Sequence, residues 1–173
     1  DEKVYTYIQS RFYRAPEIIL GIPYTSAIDI WSFGAIISEL YTGFPLFPGE
    51  DEVEQLAYIM EIYDQPDADV LKMSQRAHLF FDKKNKPKLT PNSRGKVRLP
   101  ASKKLSAVLK CKDEKFLDFL NKCFIWNPID RMTPLEALQH PWILEGLPEK
   151  VLKHHRKMFG NNDNKDQLKE ATF

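Results

Sequence analysis

Hydrophobic positions fall at helical spacing through most of the chain. Between residues 27 and 42, Ile28, Ile30, Trp31, Phe33, Ala35, Ile36, Ile37, Leu40 and Tyr41 point around most of a helical circumference. That pattern predicts a central helix buried on nearly every side. Thr25-Ser26 supplies its cap, Gly43 its stop, and Pro45 and Pro48 the connection beyond it. Asp29 sits inside this apolar run, so its carboxylate needs a partner or hydrogen bonds to offset burial. A second helix begins near Glu50-Asp51-Glu52, where acids suit the positive helix terminus, and carries Val53, Leu56, Ala57, Met60 and Tyr63 along one amphipathic face. A third starts at the cap residue Asp113, lines up Phe116, Leu117, Leu120, Cys123 and Phe124, and ends before Asn127-Pro128. Thr133-Pro134-Leu135-Glu136 combines a capping box with proline at the first helical position, and His140-Pro141 stops that helix early. No strand-rich region and no internal repeat interrupts this mainly α reading.

Periodicity loosens after Gln65-Pro66, and there charge changes the picture. Residues 82–104 hold nine Lys/Arg against one acid, so this stretch carries +8 while the rest of the chain carries −7. With three prolines it reads as an exposed insertion. Contact with nucleic acid or use as a nuclear address is the sharper reading, but no aromatics interleave with the charges, which favours a solvated insertion. From Lys150 onward Lys, His and apolar residues alternate, and residues 161–170 are polar enough to fray or stay disordered.

The composition belongs to a folded protein. The 173 residues are 43% hydrophobic and 12% aromatic, which suits one domain with a real core and excludes a disordered chain. A net charge of +1 excludes a general electrostatic binder of nucleic acid or membrane. Cys111 and Cys123 form neither a disulfide framework nor a metal motif, Cys123 reads as a buried free thiol, and His78, His154 and His155 lack acidic or Cys partners. With no signal peptide and no membrane-spanning apolar run, the expected setting is intracellular, cytoplasmic or nuclear.

Function enters through motifs. Ala15-Pro16-Glu17 is followed by D-x-W-S-x-G at residues 29–34, R-M-T at 131–133 and H-P-W at 140–142. In this order they resemble the second half of a eukaryotic protein kinase domain, from about Val4 to Trp142. Tyr13-Arg14-Ala15-Pro16-Glu17 resembles the group of cyclin-dependent, mitogen-activated and dual-specificity tyrosine-regulated kinases. Tyr5-Thr6-Tyr7 followed by I-Q-S-R-F-Y-R is similar to the last of these. P-G-E-D-E at 48–52, S-R-G-K at 93–96 and F-L-D-F-L at 116–120 resemble its class II members. Homeodomain-interacting kinases share much of the run but carry S-T-Y, and are the alternative.

The resemblance implies the C-terminal lobe of the protein-kinase-like fold, cut before the activation segment. Residues 1–17 would be the remainder of that segment, 18–145 the lobe with a basic insert at about 65–110, and 146–173 a partly disordered tail. It implies a proline-directed serine/threonine kinase that autophosphorylates Tyr7, with Tyr5 as second candidate, and Arg11 and Arg14 clasping the phosphate. A phosphotyrosine adds close to two negative charges and three acceptor oxygens, which arginines bind as charge-assisted pairs. Ser10 to Arg14 would seat the substrate residue after the phosphoacceptor, in protein substrates with Ser/Thr-Pro sites. Glu17 and Arg131 would form a buried ion pair, and Asp29 would accept N–H bonds from the catalytic loop. The sequence contains no G-x-G-x-x-G, V-A-I-K, H-R-D or D-F-G. ATP, Mg2+ and the catalytic aspartate are therefore expected on residues upstream of Asp1, the missing N-terminal lobe of the same polypeptide is an expected partner, and the fragment alone is expected to be inactive. The competing expectation is an inactive binding module working through the helix led by Val53 and the basic insert.

Overall fold

The computed structural model describes residues 8–160. After a 3-10 turn at Arg11–Tyr13 come α1 (Pro16–Leu20), α2 (Ala27–Thr42), α3 (Glu52–Tyr63), α4 (Ala68–Met73), α5 (Ala77–Phe80), α6 (Leu105–Leu109) and α7 (Glu114–Cys123). A second compact unit begins at Pro134 and contains α8 (Pro134–Leu138), α9 (Pro141–Glu145) and α10 (Glu149–Phe159). Among the described residues strand pairing is confined to an isolated antiparallel bridge between Phe81 and Pro87.

The core of the first unit gathers on α2. Trp31 is fully buried, with Phe47 stacked at 6.1 Å, Phe124 edge-on at 5.0 Å and Trp126 tilted at 6.4 Å between ring centroids. Gly34 lets α7 approach: a Cβ there would lie 2.7 Å from Cys123 Cβ and 3.1 Å from the Phe124 ring. Replacing it (Gly34→Ala) should cost about 1–3 kcal/mol, because the clash is with packed side chains that cannot swing away. A thermal melt of the variant checks this, and an unchanged midpoint would refute it.

The expectation of a helix buried all round needs correction. Ile30, Trp31, Gly34, Ala35 and Ser38 are buried, whereas Phe33, Ile36, Leu40 and Tyr41 are exposed, Leu40 at 79%. Spacings of three and four divide the apolar residues between two faces; one is buried in the described body, while the other stays half open, Phe33 and Tyr41 touching the Phe119 and Phe116 rings at 6.2 and 5.2 Å between centroids. Asp29 lies on the other stripe with Phe33, Ile36 and Leu40. It is exposed, and its side chain has no hydrogen-bond partner among the described residues.

Helix α3 is capped by Asp51, whose Oδ1 accepts the Glu54 N–H at 2.8 Å. Its burial exceeds the predicted amphipathic stripe: Leu56, Ile59 and Met60 are buried, and so are Glu54, Gln55 and Glu61. The basic insert is the reason. Instead of standing free in solvent, it lays Arg98 between Glu61 (3.0 Å) and Glu54 (3.2 Å), with the guanidinium over the Tyr58 ring. Lys103 adds a second cation to Glu61 at 3.1 Å, and the Ala101 and Lys103 N–H groups donate to the Met60 and Glu61 carbonyls. The expected solvated insertion is therefore half right. Residues 92–103 neutralise the acidic face of α3, while Lys83, Lys84, Lys86 and Lys88 remain exposed.

Helix α7 begins under the Asp113 cap, which accepts the Lys115 and Phe116 N–H groups at 3.0 Å each. It buries Phe116, Phe119, Leu120 and Cys123, so Phe119 takes the place expected for Leu117. Burial pushes the Cys123 thiol up to about 12, consistent with an inert structural cysteine. In the second unit His140 caps α9, its Nδ1 accepting the Trp142 N–H at 3.2 Å. Helix α10 forms within the stretch expected to be tail, with Leu152, His155 and Phe159 on its less exposed face.

Candidate functional site

The segment leading into α1 is held by one unusual residue. Gln9 adopts φ +62°, the left-handed region that a non-glycine residue enters at a cost of about 1–3 kcal/mol. Its side-chain amide offsets that strain. Nε2 donates to the Ile28 carbonyl (3.2 Å) and to Ser32 Oγ (2.8 Å), and Oε1 accepts the Ala15 N–H (3.0 Å). Ser32 Oγ in turn donates to the Tyr13 carbonyl at 2.7 Å, and the Tyr13 hydroxyl donates to Glu39 Oε2 at 2.7 Å. That bond to Glu39, with burial and the Glu39 charge, raises the Tyr13 phenol above its ordinary value. Residues 9–15 are thus fastened along α2 from Ile28 to Glu39.

Arg14, itself buried, closes over the same turn. Its Nε donates to the Ile8 carbonyl and Nη2 to the Gln9 carbonyl, both at 3.0 Å, and Nη1 meets Glu52 Oε1 at 3.2 Å. Glu52 is shared: Oε2 pairs with Arg76 Nη2 at 2.7 Å, and Arg76 also donates to the Ile19 carbonyl at 2.9 Å. Arg11 lies beside this group and donates Nη1 to the Glu50 carbonyl at 2.6 Å. Glu50 is held from the other side by the insert, where Ser93 Oγ donates to its Oε1 at 2.7 Å, and Asn92 Nδ2 donates to Glu54 Oε1 at 2.7 Å. Both arginines therefore rest on the N-terminal end of α3, which is itself gripped by the insert.

Glu17 and Arg131 meet across the core. Nη1 and Nη2 approach the two carboxylate oxygens at 2.7 and 2.9 Å, a bidentate pair whose side chains are both 0% exposed. Arg131 also donates to the Ala27 carbonyl (2.9 Å) and the Ile125 carbonyl (3.1 Å), and its guanidinium faces the Trp31 ring at 5.2 Å. The Ser10 hydroxyl is exposed and without a partner among the described residues. Tyr5 and Tyr7 lie outside the described residues. The Asp29 carboxylate is exposed and without a hydrogen-bond partner among the described residues.

Sequence reasoning missed Gln9, Ser32, Glu39, Glu52, Arg76 and Arg98. Only the last group left a trace, in the coincidence of an acidic helix start with a strongly basic insert. An apolar hollow of about 450 Å³ lies between Ile22, Pro23, Met73 and Ile129, and no titratable group lines it. Among the described residues no group of three or more His, Cys, Asp or Glu could hold a metal ion, and no helix is long and apolar enough to cross a membrane.

Residues 1–143 match the family model described as protein kinase domain. The chain is 53% identical to dual specificity tyrosine-phosphorylation-regulated kinase 4 of Homo sapiens over 96% of its own length and 33% of that protein. It is 54% identical to dual specificity tyrosine-phosphorylation-regulated kinase 2 of Drosophila melanogaster, over 83% of the chain and 20% of that protein. It is 55% identical to the DYRK-family kinase pom1 of Schizosaccharomyces pombe, over 82% of the chain and 13% of that protein. The chain thus spans a third or less of the length of these relatives.

Proposed function

Because the chain belongs to the protein kinases, within them to the dual-specificity tyrosine-phosphorylation-regulated family, and has the helical fold of the kinase C-terminal lobe, we propose that it is the substrate-seating part of a proline-directed serine/threonine kinase that autophosphorylates Tyr7. The observation that carries the proline reading is the pair of hydrogen bonds from Arg14 to the Ile8 and Gln9 carbonyls. Both carbonyls belong to residues that adjoin the seat formed by residues 10–14, and each already accepts from a charged donor. A substrate residue entering there with a backbone N–H must compete with Arg14 for these oxygens, and an N–H that fails to find an acceptor is left unpaired. Proline has no N–H and loses nothing.

The reading predicts a chemical rule beyond preference for proline. With the full-length enzyme, a Ser-Pro peptide and one with N-methylalanine after serine should have similar kcat/KM, while Ser-Ala should fall about 5- to 100-fold, the equivalent of one unpaired N–H. If N-methylalanine behaves like alanine, ring shape governs the seat and the reading fails.

Tyr7 is assigned as the phosphate switch. Arg11 supports this: it is exposed, and its Nε and Nη2 have no partner among the described residues, so they can take a phosphate while Nη1 keeps the Glu50 carbonyl. Arg14 is the buried member of the clasp, and Ser10 presents its free hydroxyl at the seat. Asp29 is assigned to backbone N–H groups of the catalytic loop, supplied by chain outside the described residues. A phosphopeptide map of active full-length enzyme checks the switch, and an unmodified Tyr7 would refute it. Protein kinases use ATP with Mg2+. The sequence holds no G-x-G-x-x-G, V-A-I-K, H-R-D or D-F-G, so both are assigned to residues upstream of Asp1. The substrates are proteins with Ser/Thr-Pro sites, and the setting is the cytoplasm or nucleus. The alternative of a binding module is less well supported, since part of the insert engages α3 through Arg98.

A further inference from the structure

The chain contains two Thr-Pro dipeptides, Thr90-Pro91 and Thr133-Pro134, and the fold treats them differently. Pro134 opens α8, so the backbone after Thr133 is wound into a helix and cannot be read in extended form. Thr90 lies in irregular chain within the insert. Leu89, Thr90 and Pro91 are all exposed, and the N–H groups of Leu89 and Thr90 have no hydrogen-bond partner among the described residues. The Thr90 hydroxyl makes one contact, to the Lys88 carbonyl at 3.5 Å, which is too long to hold it. A residue before proline is also steered toward extended backbone, the conformation in which a kinase reads its substrate.

We propose that Thr90 is a phosphoacceptor, modified in trans by a second copy of the kinase to which this chain belongs. The inference rests on the proline-directed reading above. Modification within one copy is opposed by anchoring on both sides. Lys88 N–H donates to the Phe80 carbonyl and its Nζ to the His78 carbonyl, both at 2.8 Å, while Asn92 bonds the Lys96 carbonyl and Glu54. Phe80 and Asn92 are in turn fixed, Phe80 by burial and Asn92 by the α3 acid. Three residues between such anchors cannot carry Thr90 through the seat of its own chain, but they stand clear for another copy. In the transfer Thr90 Oγ forms a bond to the γ-phosphorus of ATP, the bond from that phosphorus to the β,γ-bridging oxygen breaks, ADP leaves with the electron pair, and the hydroxyl proton passes to the base of the acting copy. Side chains two apart share a face of extended chain, so the new phosphate lies beside Lys88 and can draw its ammonium from the His78 carbonyl.

The test uses dephosphorylated full-length enzyme with Mg-ATP over a concentration series, an added Ser-Pro peptide as internal control, and mass spectrometry of the insert. Phosphate should appear on Thr90 at a rate per molecule that rises with enzyme concentration. Thr90→Ser should carry phosphoserine at the same position, and Pro91→Ala should slow the reaction about tenfold or more. Phosphorylation of the control peptide without Thr90 would overturn this inference and leave the proposed function standing. Failure of both would overturn the proposed function and this inference with it. A rate per molecule independent of concentration, or labelling of Thr90 only when a different proline-directed kinase is added, would overturn the assignment to a second copy.

Discussion

Arg131→Ala should lower the folding stability of the full-length protein by about 3–5 kcal/mol, the cost of leaving a buried carboxylate without its partner. Glu17 would keep both oxygens in a site with 0% side-chain exposure, and the Ala27 and Ile125 carbonyls would each lose a donor. The loss should appear as a lower urea midpoint with an unchanged slope. Stranded charge, rather than lost packing, is the stated cause, and a double replacement separates the two. Removing both charges with apolar residues of similar size (Glu17→Met with Arg131→Met) should recover much of the loss, because an uncharged, filled core has no desolvation penalty to offset. A double variant as unstable as Arg131→Ala would show that the guanidinium's bonds to backbone carbonyls, not the ion pair, hold this junction.

Arg98→Ala should cost about 3 kcal/mol and release the insert from α3. Two buried carboxylates depend on this guanidinium, Glu54 and Glu61, although Asn92 and Lys103 keep one bond to each. Limited proteolysis should then cut residues 82–104 well before the rest of the chain, and equal protection of variant and wild type would refute the docking role. Acid provides an independent check. Burial pushes the Glu54 carboxyl up, but the Glu50 N–H, the Asn92 amide and Arg98 outweigh it and hold the group below its ordinary value. A depressed carboxyl contributes stability above its unfolded pKa and loses it as pH falls through the folded one. Wild-type stability should therefore decline as pH falls below the ordinary carboxylate range, and the Arg98→Ala variant should decline less over the same fall because much of that contribution is already gone.

Much of the fold was legible because its signals are local. Gly43, Asp51, Asp113 and Pro134 mark helix ends through caps or backbone geometry that need no tertiary partner, and α2, α3, α7 and α8 begin or end where those residues stand. Errors arose where a face had to be chosen. The apolar residues of α2 surround the helix in sequence, yet the stripe through Trp31 and Ala35 is buried, Phe33 and Tyr41 only lean on α7 rings from the exposed side, and Ile36 and Leu40 point outward. Charge misled in the insert, since nine basic residues read as solvated until the acids of α3 are seen opposite them.

The sequence by itself determined the kind of protein: the ordered motifs from Ala15-Pro16-Glu17 to His140-Pro141-Trp142 and the helix caps are written in residue identity and spacing. Tertiary structure alone decided which charges are shared and which backbone groups are already taken. Arg14 became a residue that occupies the Ile8 and Gln9 carbonyls, Glu52 a bridge between Arg14 and Arg76, and Gln9 a left-handed residue held by its own amide. Caps and periodicity act over a few residues, so one strand of sequence carries them. Hydrogen-bond acceptors and buried carboxylates are satisfied by groups up to 114 residues away, and no local pattern specifies which donor arrives.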